Sequence, residues 1–256
     1  MSLSTQSETS TEDAEYQQRY QTIVENLASI RERMKAVAGG EKARLVAVSK
    51  KKPASDVLIA YKAGHRHFGE NYVQELVEKS KELPSDIKWH FIGSLQSNKC
   101  KTLASIPNLW IIETIDSIKK ANGLNKSCES RDTPLKVFIQ VNTSKEENKS
   151  GVEIEKCVPL AEHIIDNCNN LELCGLMTIG AADWEPSHGP NPYFRILAQC
   201  RDEVKEQVKQ KNGIEIDLKL SMGMSDDLQE ALEAGSTEIR IGTAIFGARL
   251  SNKLAM

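Results

Sequence analysis

Apolar side chains at Tyr20, Ile23, Val24, Leu27, Ile30 and Met34 recur at three- and four-residue intervals, and Gly39-Gly40 ends the pattern. That spacing is one face of an α-helix, so a long amphipathic helix is predicted over residues 14–37. Beyond it the period alternates. Short apolar runs of β type are predicted at 44–49, 66–68, 88–92, 109–113, 135–141, 172–177, 217–220 and 238–241. Helical patterns fall between them at 54–63, 71–82, 97–104, 117–125, 154–167, 192–211 and 226–234. Strands joined by helix-sized crossovers make a parallel sheet. Eight such units in about 210 residues predict a closed (β/α)8 TIM barrel, rather than an open doubly wound sheet, preceded by the long helix.

No break in composition suggests a second domain, so residues 14–256 are read as one barrel domain behind a disordered polar tail, residues 1–13. The tail is acidic and lacks Arg, unlike a secretory or mitochondrial leader. An irregular stretch at 180–192, marked by G-P and N-P pairs, follows the sixth strand and would overhang the face where barrel enzymes keep their sites. The chain has 256 residues and a formal net charge of −3, which points away from nucleic acid and toward small partners. Six cysteines are scattered without a C-x-x-C pair. They read as reduced thiols of a cytoplasmic protein rather than as a zinc site or a disulfide framework. No apolar stretch reaches the ~20 residues a membrane span needs.

In a parallel barrel the chemistry sits just past the C-terminal ends of the strands. The end of the first strand carries Val48-Ser49-Lys50-Lys51-Lys52-Pro53. Strand side chains alternate, so Lys50 shares a face with Val46 and Val48; if those point into the barrel, Lys50 stands at its mouth. Desolvation there favours the neutral amine, the form that makes a Schiff base. Lys51 and Lys52 read as solvated loop charges. The seventh strand ends in Leu220-Ser221-Met222-Gly223-Met224-Ser225, with Ser225 as the N-cap of the next helix, and the eighth ends in Arg240-Ile241-Gly242-Thr243. Gly turns and exposed amides in the loops after strands seven and eight make an anion site. Taken singly, these are a charge triplet, two turns and a cap. Together, an amine facing a phosphate cradle is what pyridoxal 5′-phosphate (PLP) requires. Arg240, on the face of Gly242, would meet the pyridine nitrogen; an arginine cannot accept its proton, which weakens the cofactor as an electron sink.

The segments LVAVSKKKP, HFGENYVQE, IKWHFIGSLQSNK, ETIDS, VNTSKEENKSG, GLMTIG, LSMGMSDDL and STEIRIGTAIFGAR, in this order from Leu45 to Arg249, resemble the pyridoxal phosphate homeostasis protein family, also called the proline synthetase co-transcribed homologues. The resemblance implies a barrel like the N-terminal domain of alanine racemase with PLP held as a Schiff base on Lys50. It also implies phosphate contacts from Met224, Ser225, Gly242 and Thr243, Arg240 near the pyridine nitrogen, and Asn71 as a further pocket residue. Lys51 departs from the Thr or other uncharged residue that many relatives carry. The family is regarded as carrying and buffering vitamin B6 without established catalysis, which implies recipient apoenzymes as partners. Alanine racemases take a second catalytic base from a C-terminal β domain for which this chain leaves no room, so two-base racemisation and the racemase dimer are not expected and a monomer is favoured.

Two other readings remain open at this stage: a PLP-dependent racemase or lyase acting on an amino acid, and a phosphate-binding barrel for another metabolite. No metal site is expected from His65 and His67. His90 reads as a packed core histidine or a neighbour of the cofactor ring, and Glu70 and Glu75 as side chains on different faces of a helix.

Overall fold

The computed structural model describes residues 4–181, 184 and 189–248, with backbone alone for residues 4–12. Eight strands close into one parallel barrel in sequence order. They are β1 (Arg44–Val48), β2 (His67–Glu70), β3 (Lys88–Phe91), β4 (Leu109–Ile115), β5 (Leu135–Gln140), β6 (Leu171–Met177), β7 (Lys219–Ser221) and β8 (Glu238–Ile241). The crossovers carry α2 (Ala54–Lys62), α3 (Val73–Glu82), α4 (Cys100–Ala104), α5 (Ile118–Ser127), α6 (Cys157–Asn167), α7 (Pro192–Asn212) and α8 (Leu228–Glu233); α1 (Ser4–Lys35) precedes them and the single-turn α9 (Thr243–Phe246) follows β8. Every strand expected from the sequence is present. The single turn α9 was not foreseen, being too short to show a period.

Closure depends on β1, which pairs with β8 from Arg44↔Glu238 to Ala47↔Ile241 and with β2 at Ala47↔Phe68 and Val48↔Gly69. Alternation then sorts the side chains. Leu45, Ala47, Phe68, Trp89, Phe91, Val137, Ile139, Ile239 and Ile241 join the core between barrel and helices. Val46 and Val48 turn inward, where a Cβ built on Gly69 would lie 3.1 Å and 3.5 Å from their methyls. Inside the barrel, Ile111, Phe138 and Met177 form a separate apolar cluster.

Helix α1 begins at Ser4 and so takes in ten of the residues read as tail. No Gly or Pro interrupts it, and helix extension from an anchored segment costs little per residue. The anchor is its buried face, Ile23, Leu27, Ile30 and Met34. Polar bonds fix its angle: Arg19 donates to Asp56 of α2 at 2.9 Å and to the Phe246 carbonyl at 2.8 Å, and Asn26 donates to the Ile245 carbonyl at 3.0 Å. The loop expected at 180–192 lies partly outside the described residues. Helix α7 starts after it with Pro192 in its first turn and the Asn191 side chain accepting the Tyr193 amide. Among the described residues no helix is long and apolar enough to cross a membrane.

Candidate functional site

Lys50 lies two residues beyond β1 and is partly buried. Its predecessor is clamped. The Ser49 amide donates to Gly69 O at 2.9 Å, its hydroxyl donates to Glu70 Oε1 at 2.7 Å, and its carbonyl accepts Lys79 Nζ at 2.9 Å. Lys79 also reaches Glu70 at 2.7 Å and Glu75 at 3.2 Å. The two glutamates therefore share one ammonium, against the expectation of different faces, because Glu70 ends a strand while Glu75 lies on the helix. Burial pushes the Glu70 carboxyl up, against the pull of Lys79. Ser49 is thus held on the α3 side, and Lys50 follows it in the turn that leaves β1. Lys52 is not a plain solvated charge: its Nζ donates to Ala248 O at 2.6 Å.

Of the two anion-type loops, the one after β8 meets β1 and the one after β7 is tied to β8. A Cβ on Gly242 would come 3.2 Å from Val48 O, so the β8 loop presses on the strand end that carries Lys50. Thr243 follows it, exposed, at the start of α9, where the first helical amides lack intrahelical acceptors. The Arg240 amide donates to Gly223 O at 3.0 Å, tying the β7 loop to β8. Gly223 has φ +98°, and a Cβ there would lie 2.4 Å from the Ala231 Cβ, so both backbone and packing demand glycine. Met224 is exposed and Ser225 partly buried at the tip of this loop. Ser225 is not the helix cap that the sequence suggested. Helix α8 starts only at Leu228, because the Asp227 carboxylate captures the Met224 amide at 2.5 Å and closes a turn first.

Across the mouth is a polar cavity of about 250 Å³ lined by Asn71, Ser94, Asn142, Lys149 and Thr178 among others. Asn71 Oδ1 is buried without a hydrogen-bond partner among the described residues, an acceptor waiting for a donor. Thr178 links the cavity to Arg240: its carbonyl accepts Arg240 Nη2 at 2.8 Å. A lysine beside a strand end, one Gly loop against that strand end and a second tied to the first, a buried guanidinium and an orphan amide oxygen are a donor set that fits a small aromatic phosphate carrying an aldehyde.

Beneath Arg240 the barrel interior is charged, which the sequence reading did not assemble. Arg240 Nη1 donates to Ser221 Oγ at 2.7 Å, and Ser221 donates to Glu113 Oε2 at 2.6 Å. Glu113 Oε1 faces His90 Nδ1 at 2.8 Å, and His90 Nε2 faces His67 Nδ1 at 2.9 Å. Glu238, bound to Arg44 at 3.0 Å, comes within 3.5 Å of His90. Burial alone would lower His90, but the Glu238 charge and the Glu113 hydrogen bond outweigh it and lift His90 to about 9. Burial and the His90 charge push His67 down to about 3. His90 is thus an imidazolium donating both ways, and His67 a neutral acceptor. Burial and the Glu238 charge hold Glu113 up; for Glu238, burial is overcome by His90 and the value falls to about 2. His90, Glu113 and Glu238 bring possible metal-ligand atoms within 4.8 Å of one another. Both nitrogens of His90 are already engaged in hydrogen bonds, so the group reads as a charge cluster, although Glu238 Oε1 has no hydrogen-bond partner among the described residues. The one signal available in sequence was alternation: His90, Glu113, Ser221 and Glu238 occupy inward positions of their strands.

Residues 19–250 match the family model for the alanine racemase N-terminal domain. A pyridoxal phosphate homeostasis protein of Schizosaccharomyces pombe is 46% identical over 91% of this chain and 95% of its own length. The Homo sapiens protein of the same name is 49% identical over 80% and 76%. Among solved structures, PipY of Synechococcus elongatus with PLP bound is 32% identical, with a TM-score of 0.75 over 88% of this chain and 100% of that one. Alanine racemase of Streptomyces coelicolor, at 17% identity and a TM-score of 0.70 over 90% and 58%, shares the fold.

Proposed function

Because the chain belongs to the pyridoxal phosphate homeostasis protein family, we propose that it binds pyridoxal 5′-phosphate and serves intracellular vitamin B6 homeostasis, holding the cofactor as a Schiff base on Lys50. The observation that carries this reading is the junction at the end of β1, where the Lys50 segment is wedged between Gly69 of β2 and Gly242 of β8. Met224, Ser225, Gly242 and Thr243 would receive the phosphate, Arg240 the pyridine nitrogen, and Asn71 a polar edge of the ring. The bound group supplies a reactive aldehyde and an electron-withdrawing ring. What these residues add is retention: an amine fixed by the Ser49 clamp, backbone amides for the anion, and a cation that cannot take the ring proton.

Carriage without turnover is supported by the lining of the neighbouring cavity. Among the described residues its single titratable side chain is Lys149, whose ammonium is held by Glu146 Oε1 at 2.6 Å and Gly180 O at 3.0 Å. Amides and hydroxyls supply the rest of its polarity, and they are poor acids and bases at neutral pH. A racemase or lyase, the competing reading, needs a second proton carrier opposite Lys50. Cytoplasmic residence, a monomeric state and transfer to PLP-dependent apoenzymes complete the proposal.

The visible absorption band of the imine tests it: the purified protein mixed with PLP is expected to show the band, and Lys50→Ala to lose it. Persistence of the band in Lys50→Ala defeats the assignment. Incubation with single-enantiomer amino acids in deuterated water separates carrier from enzyme, since exchange at Cα at ordinary turnover rates requires the catalytic reading.

A further inference from the structure

Arg240 is buried, and among the described residues no carboxylate lies within ion-pair distance of it. Its two assigned acceptors are neutral, Ser221 Oγ and the Thr178 carbonyl. Such a cation has little to define its direction unless the acceptors themselves are fixed. Both are. The Thr178 hydroxyl is bonded to Val141 O at 3.0 Å and to the Thr143 hydroxyl at 2.9 Å, which locks that strand end. A serine hydroxyl is a rotor with one proton and two lone pairs. Ser221 turns a lone pair to Arg240 only because its proton is taken by Glu113, 2.6 Å away on β4. Glu113 in turn is held by His90 Nδ1 on its other oxygen. Every hydrogen bond in this series points inward to Glu113 from the Arg240 side, and His90 approaches it from the opposite side.

We propose that Ser221 and Glu113 are positioning residues for Arg240, converting a charge buried at the barrel's centre into a fixed orientation of the guanidinium at its mouth. The role proposed for Ser221 differs from that of the nearby phosphate loop: it lies in β7, fully buried, and its side chain reaches the mouth through Arg240. The inference rests on Arg240 facing a cofactor ring, yet the guanidinium's restraint can be measured without one.

The first arm uses the cofactor-free protein and NMR of the Arg240 side-chain N–H protons. In the wild type they exchange slowly with solvent; in Ser221→Ala they exchange at least several-fold faster, and Ser221→Thr, which keeps the hydroxyl, restores protection. Glu113→Gln, which removes the charge that orients the hydroxyl, moves exchange in the same direction. The second arm loads PLP and follows its release to an excess of a cofactor-free apoenzyme. Ser221→Ala is expected to release it about tenfold faster, the size of one lost hydrogen bond to a charged group, with a displaced absorption band, and Ser221→Thr to return both to normal. Wild-type Arg240 protons in fast exchange overturn the proposal without recourse to any variant. So does a Ser221→Ala protein that melts lower but keeps wild-type exchange, release rate and band. Loss of the Lys50 assignment would show separately, as a band that survives Lys50→Ala while the exchange arm is unaffected.

Discussion

Lys51 is one of two non-glycine residues at positive φ, 58°, among the described residues. Its amide donates to Glu75 Oε2 at 2.8 Å, and its ammonium lies 5.7 Å from the centre of the Tyr72 ring. The left-handed conformation costs an L-residue about 1–2 kcal/mol; glycine escapes that cost, but the greater freedom of its unfolded chain cancels about half of the gain. Lys51→Gly is therefore expected to raise the melting temperature by about 1–3 °C, and Lys51→Ala, which keeps the Cβ, to leave it unchanged. Thermal unfolding of the pair checks this: equal melting temperatures would mean that the turn is unstrained. At this scale the lysine triplet was partly legible. Strand parity proposes Lys50, which the Lys50→Ala absorption band decides, but nothing in the residues showed that Lys51 turns the chain or that Lys52 ties the loop to Ala248, since both depend on where α3 and α9 come to rest. Ser225 failed as a cap for a related reason. Two residues later Asp227 offers a stronger, charged acceptor for the same turn.

Among the elements, the apolar period marked α1 correctly, but not what its polar residues do. Arg19 and Asp56 are 37 positions apart, and no local pattern links them. In the structure the Asp56 side chain is 7% exposed and Arg19 34%, so the bond joins a buried carboxylate to a partly solvated cation. Removing the cation leaves the carboxylate uncompensated. Fully buried pairs lose about 3–5 kcal/mol in this way and exposed ones at most about 1. A loss of about 2 kcal/mol is expected for Arg19→Ala in urea unfolding, with part of it recovered in Arg19→Ala with Asp56→Asn. An additive double variant would mean that the pair does not couple α1 to α2. The consequence reaches the mouth, because α1 also holds the Ile245 and Phe246 carbonyls of α9 and, through Arg33, the Ser225 carbonyl at 3.3 Å. The leading helix thus braces from behind both loops proposed to receive the phosphate.

For the whole molecule, strand count and alternation revealed the barrel, and turn chemistry marked the Lys and Gly loops that close its C-terminal end, because both are written in local pattern. The interior charge was not legible: Ser221 meets Glu113 across 108 positions, and alternation tells which way a side chain faces without telling what it meets. That interior sets the pH response. His90, facing Glu113, Glu238 and His67 from β4, β8 and β2, titrates at about 9 folded against about 6.5 unfolded. The folded state therefore holds a proton that the unfolded chain releases, so this contribution is complete below about pH 6.5 and is lost as pH rises through 9. His65 and His67, pushed down by burial to about 4 and about 3, have the opposite sign and withdraw stability as pH falls below about 6.5. Glu238, at about 2, adds to that acid limb, while the raised carboxyls of Glu70 and Glu113 work against it. The alkaline limb is therefore the cleaner test. Unfolding free energy measured at constant ionic strength is expected to fall between pH 6.5 and 9 with a slope approaching one proton. A flat profile there would mean that His90 is neutral, and Glu113 would then be held beneath Ser221 and Arg240 by a neutral donor instead of an imidazolium.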